Sequence, residues 1–451
     1  MVTTLEKAGT RTKLGSLLEE NSEKLLTCVH CGLCLPSCPT YRQLGNENDS
    51  PRGRVYLMRG VVEGRLSVGE SFISHIDLCL GCRACESACP SSVPYGHLLE
   101  AARAEVAEAK SRRGSFTEYI VRLILNQVFP RPSVLRAAMT VTRWLRDSGL
   151  ARLAFDTKLV GGRLRFALAL LLSSRSPLAK ATPRQGPRKI KRNDSPLAAR
   201  GKSRQVMRVG LLRGCVMEGL FGETNRATER VLARNGCELV EAGGQVCCGA
   251  LHAHAGQVET ARQLARRNID AFFESGCEQI ITNAAGCGAA MKEYGVLLAD
   301  DLQFVERARE FSSRVRDVSV FLVERGIDPP AGRVDRRVAY DAPCHLIHAQ
   351  RITQAPIEIL KAVPGASLVP LRGFESCCGG AGIYNLQHPE LSGEILDDKI
   401  ESIKESRADT VATANPGCIM QIGAGVLMSG MDVDVIHPVE ILDAAYSESL
   451  D

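Results

Sequence analysis

Cys28-Val29-His30-Cys31-Gly32-Leu33-Cys34-Leu35-Pro36-Ser37-Cys38-Pro39 recurs as Cys79-Leu80-Gly81-Cys82-Arg83-Ala84-Cys85-Glu86-Ser87-Ala88-Cys89-Pro90. Both runs read Cys-x2-Cys-x2-Cys-x3-Cys-Pro, a spacing that ligates iron–sulfur clusters. A cubane needs four soft thiolates. The x2 gaps let three sulfurs of one tight loop point inward, and the fourth must come from elsewhere. A chain with two such runs moves electrons.

In two-cluster ferredoxins, which these runs resemble, the fourth thiolate comes from the other run. The resemblance implies Cys28, Cys31, Cys34 and Cys89 as ligands of one 4Fe–4S cluster. Cys79, Cys82, Cys85 and Cys38 are then the ligands of a second.

At 451 residues the chain has room for roughly three domains. Its 45% hydrophobic and 24% charged content suits a soluble globular protein. The 18 cysteines do not indicate a secreted disulfide scaffold, because such chains are short and lack cluster spacing. Met1–Thr27 is polar and helix-prone, without the apolar core of a signal peptide. No apolar run approaches the ~20 residues that span a bilayer. The expectation is a cytoplasmic protein, peripheral at most on the inner face of the membrane.

Residues 1–115 read as the two-cluster module, mostly α-helical, with helical patterns at Gly53–Glu63, around Phe72–Ile76 and at Glu100–Ala109. Residues 116–206 differ. Residues 101–206 carry 23 Lys and Arg against 6 Asp and Glu, while the whole chain carries only +5. Tyr119–Leu125 and Val134–Leu150 place apolar residues at helical spacing among Arg122, Arg136, Arg143 and Arg146. Phe166–Leu172 lies among Arg163, Arg165 and Arg175, and Ser176–Ser203 reads as an exposed Pro/Lys/Arg-rich linker. Basic amphipathic helices suit anionic lipid headgroups, or equally an acidic protein surface. Sparse aromatic residues and the lack of a binding motif point away from nucleic acid.

From residue 207 the pattern is α/β and repeats itself. Cys215, Cys247, Cys248 and Cys287 match Cys344, Cys377, Cys378 and Cys418 at offsets of 129, 130, 130 and 131 residues. Strand-like runs lie ahead of cysteines at Val209–Leu212, Gln279–Thr282, Arg337–Tyr340 and Thr410–Thr413, with helical stretches such as Thr260–Glu274 and Glu390–Ser406 between them. The alternation predicts parallel sheets with sites at the carboxyl ends of strands. Four thiolates per repeat can complete a redox cluster, hold structural zinc, or do thiol chemistry without metal. The adjacent pairs Cys247-Cys248 and Cys377-Cys378 favour a cluster, whose several irons neighbouring thiolates can reach separately.

The Cys…Cys-Cys-Gly…Cys repeats resemble the cysteine-rich (CCG) domains of heterodisulfide reductases. A two-cluster module ahead of two such domains is similar to the iron–sulfur subunits of bacterial glycolate oxidases. Asp341–Leu346 with His348–Gln350, Cys377–Asn385 and Asn415–Gln421 carry that likeness. The resemblance implies an α+β multidomain fold, a mainly α-helical ferredoxin-like module followed by two tandem α/β CCG repeats at 207–331 and 332–451. It also implies FAD on partner dehydrogenase subunits, oxidation of glycolate to glyoxylate there, and a quinone or membrane electron acceptor. Equivalent subunits of D-lactate or glycerol 3-phosphate dehydrogenases, and a heterodisulfide-reductase-like thiol/disulfide oxidoreductase, are the alternatives. One departure weakens the last. Ala290 and Gln421 stand where the heterodisulfide reductase pattern has a fifth cysteine.

The remaining candidates have plainer readings. Cys237 and Cys277 match nothing in the other repeat and read as small buried hydrophobes. His252, His254, His345 and His348 read as packing or supporting groups, and Arg52 and Arg54 as either cluster-tuning charges or salt-bridge partners. Gly380-Ala381-Gly382 is no dinucleotide fingerprint. The chain shows no flavin or nicotinamide site of its own and no catalytic residue.

Overall fold

The computed structural model describes residues 16–111, 116–157, 160–180 and 206–447. The polar start before residue 16 and most of the expected linker, 181–203, lie outside the described residues. The chain divides into two compact units, Met1–Leu123 with Leu251–Thr260, and Ile124–Ala250 with Ala261–Asp451.

The regular elements of the first unit, among its described residues, are helices, with most of each cysteine run in the loops between them. Helix Pro51–Val62 starts where Ser50 Oγ accepts from the Gly53 amide at 3.0 Å, with proline at its first position. Helices Glu70–Asp77 and Tyr95–Ser111 pack on it, extending the helical patterns read from the sequence. Their apolar faces bury Val55, Met58, Phe72, Ile76, Leu98 and Leu99, and Leu18 and Leu25 close the core. The segment Leu251–Thr260 lies against the long helix. A Cβ on Gly256 would come 2.2 Å from the Arg103 carbonyl oxygen, so only glycine fits there.

The second unit holds two four-stranded parallel sheets. The first comprises β1 (Met207–Leu211), β2 (Cys237–Val240), β3 (Gln279–Thr282) and β4 (Val315–Asp317). The second comprises β5 (Arg336–Tyr340), β6 (Ala366–Val369), β7 (Thr410–Ala412) and β8 (Asp434–Ile436). Their orders, β2-β1-β3-β4 and β6-β5-β7-β8, are the same. The expected strands are β1, β3, β5 and β7, and the expected helices extend to Val258–Ser275 and Pro389–Ser406. One continuous core joins the repeats, from Val209, Leu211 and Ile281 to Val338, Ala412 and Ile436. Arg230 from the first repeat pairs with Asp443 of the second at 2.5 Å.

The expected helix Val134–Leu150 is two helices, Pro132–Asp147 and Leu150–Asp156, broken at Gly149 with φ 82°. The expected exposed linker also begins differently. Ser176 is half-buried, and its hydroxyl donates to the buried Glu440 carboxylate.

Candidate metal centres

All 18 cysteines are free thiols. The two runs of the first unit share a backbone device. His30 and Gly32 in the first loop have φ of 54° and 87°, and the equivalent Gly81 and Arg83 in the second have 66° and 61°. Successive left-handed turns gather amide groups into a concavity that favours an anionic group. Each loop uses one glycine and one side-chain-bearing residue for the two strained positions, in opposite order.

The second loop gathers thiols from both runs. Burial pushes the Cys85 thiol well up, and the neighbouring sulfurs of Cys82, Cys79 and Cys38 raise it further. Cys38, Cys79 and Cys85 are all buried. In the first loop burial raises Cys34, with Cys28 and Cys31 adding to the effect. Cys89 packs against the same core as Cys28 and Cys34, and Cys31 is exposed. Four soft donors with left-handed loop backbones around them fit an iron–sulfur cluster. Among the described residues, no three His, Cys, Asp or Glu side chains are arranged around a single metal ion.

Positive charge surrounds the second loop. Arg54 is fully buried, donating to the His75 carbonyl at 2.6 Å and to Thr40 Oγ1 at 3.1 Å. Burial alone would raise the Cys79 thiol, but Arg54 and then Arg103 outweigh it and hold Cys79 below its ordinary value. The Tyr95 hydroxyl reaches Cys79 Sγ at 3.5 Å, and Arg103 Nη2 donates to the Cys79 carbonyl at 2.5 Å. The sequence carried no signal for Arg103 or Tyr95. Arg52 instead braces the first loop, bonding Glu47 at 2.7 Å and the His30 carbonyl at 3.0 Å.

In the second unit the cysteines follow the sheet. Cys215 comes after β1 and Cys287 after β3, flanking the point where strand order reverses, and Cys344 and Cys418 do the same after β5 and β7. Ligands of open α/β sheets collect at that crevice. Cys247 Sγ lies 3.4 Å from Cys215 Sγ, and the Cys248 thiol is hydrogen-bonded with those of Cys247 and Cys287. In the second repeat Cys377 bonds Cys344 and Cys378, and Cys378 bonds Cys418. Each repeat thus brings its four predicted cysteines together. The loops after β3 and β7 also join across the repeats. The Ala285 amide donates to Ala414 O at 3.1 Å, and the Gly286 amide to Asn415 Oδ1 at 3.3 Å.

The two sites differ in how they hold the second cysteine of each adjacent pair. In the first repeat, against the bond with Cys247, the hydrogen bond with Cys287 and burial push Cys248 well up. In the second, bonds from Cys377 and Cys418 hold Cys378 well below its ordinary value despite burial, with the Gly380 amide and Lys399 assisting. Lys399 pairs with Asp341 at 2.8 Å, both side chains only 2% exposed. In the first repeat Leu212 and Asn268 occupy the equivalent positions. Leu212 and Asp341 each donate an amide across to β3 or β7, and Asn268 and Lys399 are both the eleventh residue of an 18-residue helix.

Gln421, at one missing fifth-cysteine position, is fully buried. It donates to Ser392 Oγ at 3.0 Å and accepts from Asn385 Nδ2 at 2.8 Å. Cys237 and Cys277 lie in apolar cores, and burial raises Cys237 to about 11. His348 contacts the Glu375 carbonyl at 3.2 Å, and His254 contacts Glu100 at 3.2 Å. His252 is buried, and His345 Nδ1 lies 3.5 Å from where a Cβ on Gly286 would stand.

The family comparisons divide the chain along these lines. Residues 24–93 match the 4Fe-4S dicluster domain, and residues 209–292 and 338–423 match the cysteine-rich domain. The chain is 37% identical to the probable glycolate oxidase iron-sulfur subunit of Bacillus subtilis, over 93% of each chain. It is 37% identical to the glycolate oxidase iron-sulfur subunit of Escherichia coli over 93% of this chain and 94% of that one. Lactate utilization protein A of Shouchella clausii is 30% identical over 53% of this chain and 99% of its own length. The dicluster match and the full-length likeness make this an iron–sulfur electron-transfer protein, and the chain belongs to the family of glycolate oxidase iron–sulfur subunits.

Proposed function

We propose that this chain is the electron-transfer subunit of a flavin-dependent glycolate-oxidising complex. FAD-binding partner subunits convert glycolate to glyoxylate, and this subunit passes the electrons to a quinone-type acceptor at the cytoplasmic face of the membrane. The observation that carries the reading is the 37% identity to glycolate oxidase iron–sulfur subunits across 93% of the chain.

Cys28, Cys31, Cys34 and Cys89 hold one 4Fe–4S cluster in this reading, and Cys79, Cys82, Cys85 and Cys38 hold the second. The crossed assignment is supported by the closeness of Cys82, Cys79 and Cys38 to the buried Cys85. When bound, such clusters accept single electrons, which suits a relay between a two-electron flavin donor and its acceptor. The chain's own residues do the rest. The left-handed loops present amides to the sulfurs, Arg54 and Arg103 offset negative charge, and the core around Phe72 and Leu98 excludes water. Cys215, Cys247, Cys248 and Cys287, with Cys344, Cys377, Cys378 and Cys418, form either a further redox site or the docking domain for the flavoprotein.

The test is anaerobic co-purification with the flavin partners, followed by a screen of glycolate, D-lactate and glycerol 3-phosphate for bleaching of cluster absorbance. Glycolate should bleach it fastest. Bleaching by another substrate alone would overturn the glycolate assignment and keep the electron-transfer role. The likeness to lactate utilization protein A favours lactate as the second reading.

A further inference from the structure

Helix Pro132–Asp147 has two apolar faces, and the protein uses only one. At 3.6 residues per turn, Leu135, Met139 and Arg146 share the inner side. Leu135 packs on the group of Cys215, Val246, Cys247 and Leu264. Met139 fills the space over Gly219, where an added Cβ would meet its side chain at 2.6 Å. Arg146 Nη1 donates to Leu220 O at 3.0 Å and to Ser174 O at 3.1 Å. The helix is therefore anchored at both ends of this side, and its outer face is held in a fixed orientation.

That outer face is apolar too. Val134, Ala137, Ala138, Val141, Trp144 and Leu145 fall within one arc, and all are exposed. Val141 is 65% and Trp144 64% exposed. The following helix, Leu150–Asp156, leaves Leu150 and Leu153 exposed as well. No acidic residue stands on the arc, and the exposed Arg131 lies at its edge. The nearby acids, Asp147 and Asp156, are each paired with an arginine.

We propose that this face lies in the plane of an anionic lipid surface, with Val141 and Trp144 entering the headgroup boundary. The inference deepens the proposed membrane acceptor and rests on that reading. Charge complementarity selects the lipid. Residues 124–180, in the same unit as the helix, carry ten Lys and Arg against two Asp and Glu, an excess with no single bidentate fork. A bilayer asks only for summed positive charge and an apolar strip, and an in-plane helix supplies both. No helix among the described residues is long and apolar enough to cross a membrane, which is consistent with attachment along the surface.

Trp144 is the chain's single tryptophan, so its emission reports on this face alone. The experiment mixes the full, cluster-loaded chain with phosphatidylcholine vesicles, with and without phosphatidylglycerol, and follows sedimentation and emission. Binding only to the anionic vesicles, a blue shift of Trp144 emission, and weakening by added salt are expected. Val141→Asp should lower vesicle affinity by at least about tenfold, with iron content and circular dichroism unchanged. Val141→Leu keeps the apolar surface and should bind as the wild type does.

Absence of binding would overturn the proposal, as would binding with unchanged Trp144 emission and normal affinity of Val141→Asp. A blue shift produced by the purified flavin subunit and not by vesicles would assign the face to a protein partner instead. Reduction of a water-soluble quinone analogue by the assembled complex, measured in parallel, separates the two readings. If it persists without vesicle binding, the lipid face fails and the acceptor reading stands.

Discussion

Arg54 lies fully buried beside Cys79, and each holds the other's charge. Burial would lower the guanidinium's proton affinity, but Cys79, followed by Tyr95, Cys38 and Asp49, raises it above the ordinary value. Asp49 Oδ1 is 3.5 Å from Arg54 Nη2 and 2.8 Å from His75 Nδ1, so the cation is tied into a polar network beneath the second loop. A buried positive charge next to a cluster makes the reduced, more negative state easier to reach.

Arg54→Gln should therefore lower the reduction potential of one cluster by roughly 100–200 mV, the size of a unit charge about 4–7 Å away at an effective dielectric of about 20. The other cluster should stay where it is. Potentiometric titration followed by electron paramagnetic resonance checks this. Equal shifts in both clusters, or none, would show that Arg54 serves only the fold. Arg103→Gln, which removes the weaker of the two charges acting on Cys79, should give a smaller shift of the same sign.

The crossed ligation predicts a pattern among cysteine variants. Cys38→Ser and Cys82→Ser should leave the same surviving cluster and the same resonance spectrum. Cys31→Ser and Cys89→Ser should share the other spectrum. If Cys38→Ser instead resembled Cys31→Ser, each run would be serving its own cluster.

The buried pair of Asp341 and Lys399 should behave as a unit. Lys399→Asn alone leaves a carboxylate buried without its cation, a loss of about 3–5 kcal/mol. Adding Asp341→Leu reproduces the Leu212 and Asn268 arrangement of the first repeat and should recover most of that loss. Urea unfolding of the four corners of this cycle measures the coupling. Additive losses would mean that the pair contributes nothing beyond its separate parts.

His437 gives the fold an acid sensitivity. Burial lowers its pKa to about 4, against the donation of its Nε2 proton to the Asn283 carbonyl at 2.9 Å, while Nδ1 accepts from the Val439 amide at 3.1 Å. Its folded pKa is below the unfolded value of about 6.5, so the unfolded chain takes the proton first. Above that value there is no penalty. As pH falls from about 6.5 to 4, the second unit should lose about 1.4 kcal/mol per unit from this group. Thermal melts across this range should show the slope, and His437→Gln should flatten it. An unchanged slope in the variant would place the acid sensitivity elsewhere.

The cysteine spacing made the first unit's centres and the repeat of the second legible. The strands just ahead of cysteines, β1, β3, β5 and β7, were legible because each ends in a buried, mostly apolar run. The flanking strands β2, β4, β6 and β8 were not. They are the edge strands of the two sheets, three or four residues long, with apolar runs no longer than two residues. Arg52 and Arg54 look alike in sequence, yet two residues along a helix turn one toward solvent and the other into the core. Lys399 follows Asp397 and Asp398, a run that reads as a solvated face, and its partner Asp341 is 58 residues away. Pairings of that range depend on the packing of sheet and helix, which spacing alone does not encode. The open apolar arc of helix Pro132–Asp147 was half legible. Its amphipathic period was visible, but not that the packed side is the one carrying Leu135 and Met139.

The twin cysteine runs make this chain an electron-transfer wire. Iron and acid-labile sulfide counted on the anaerobically purified chain, with electron paramagnetic resonance of the reduced protein, test it most directly. Two cubanes predict at least about eight irons and eight sulfides per chain, with signals from two clusters on reduction. Zinc in place of iron, or a chain that takes up neither iron nor sulfide on anaerobic reconstitution, would contradict it.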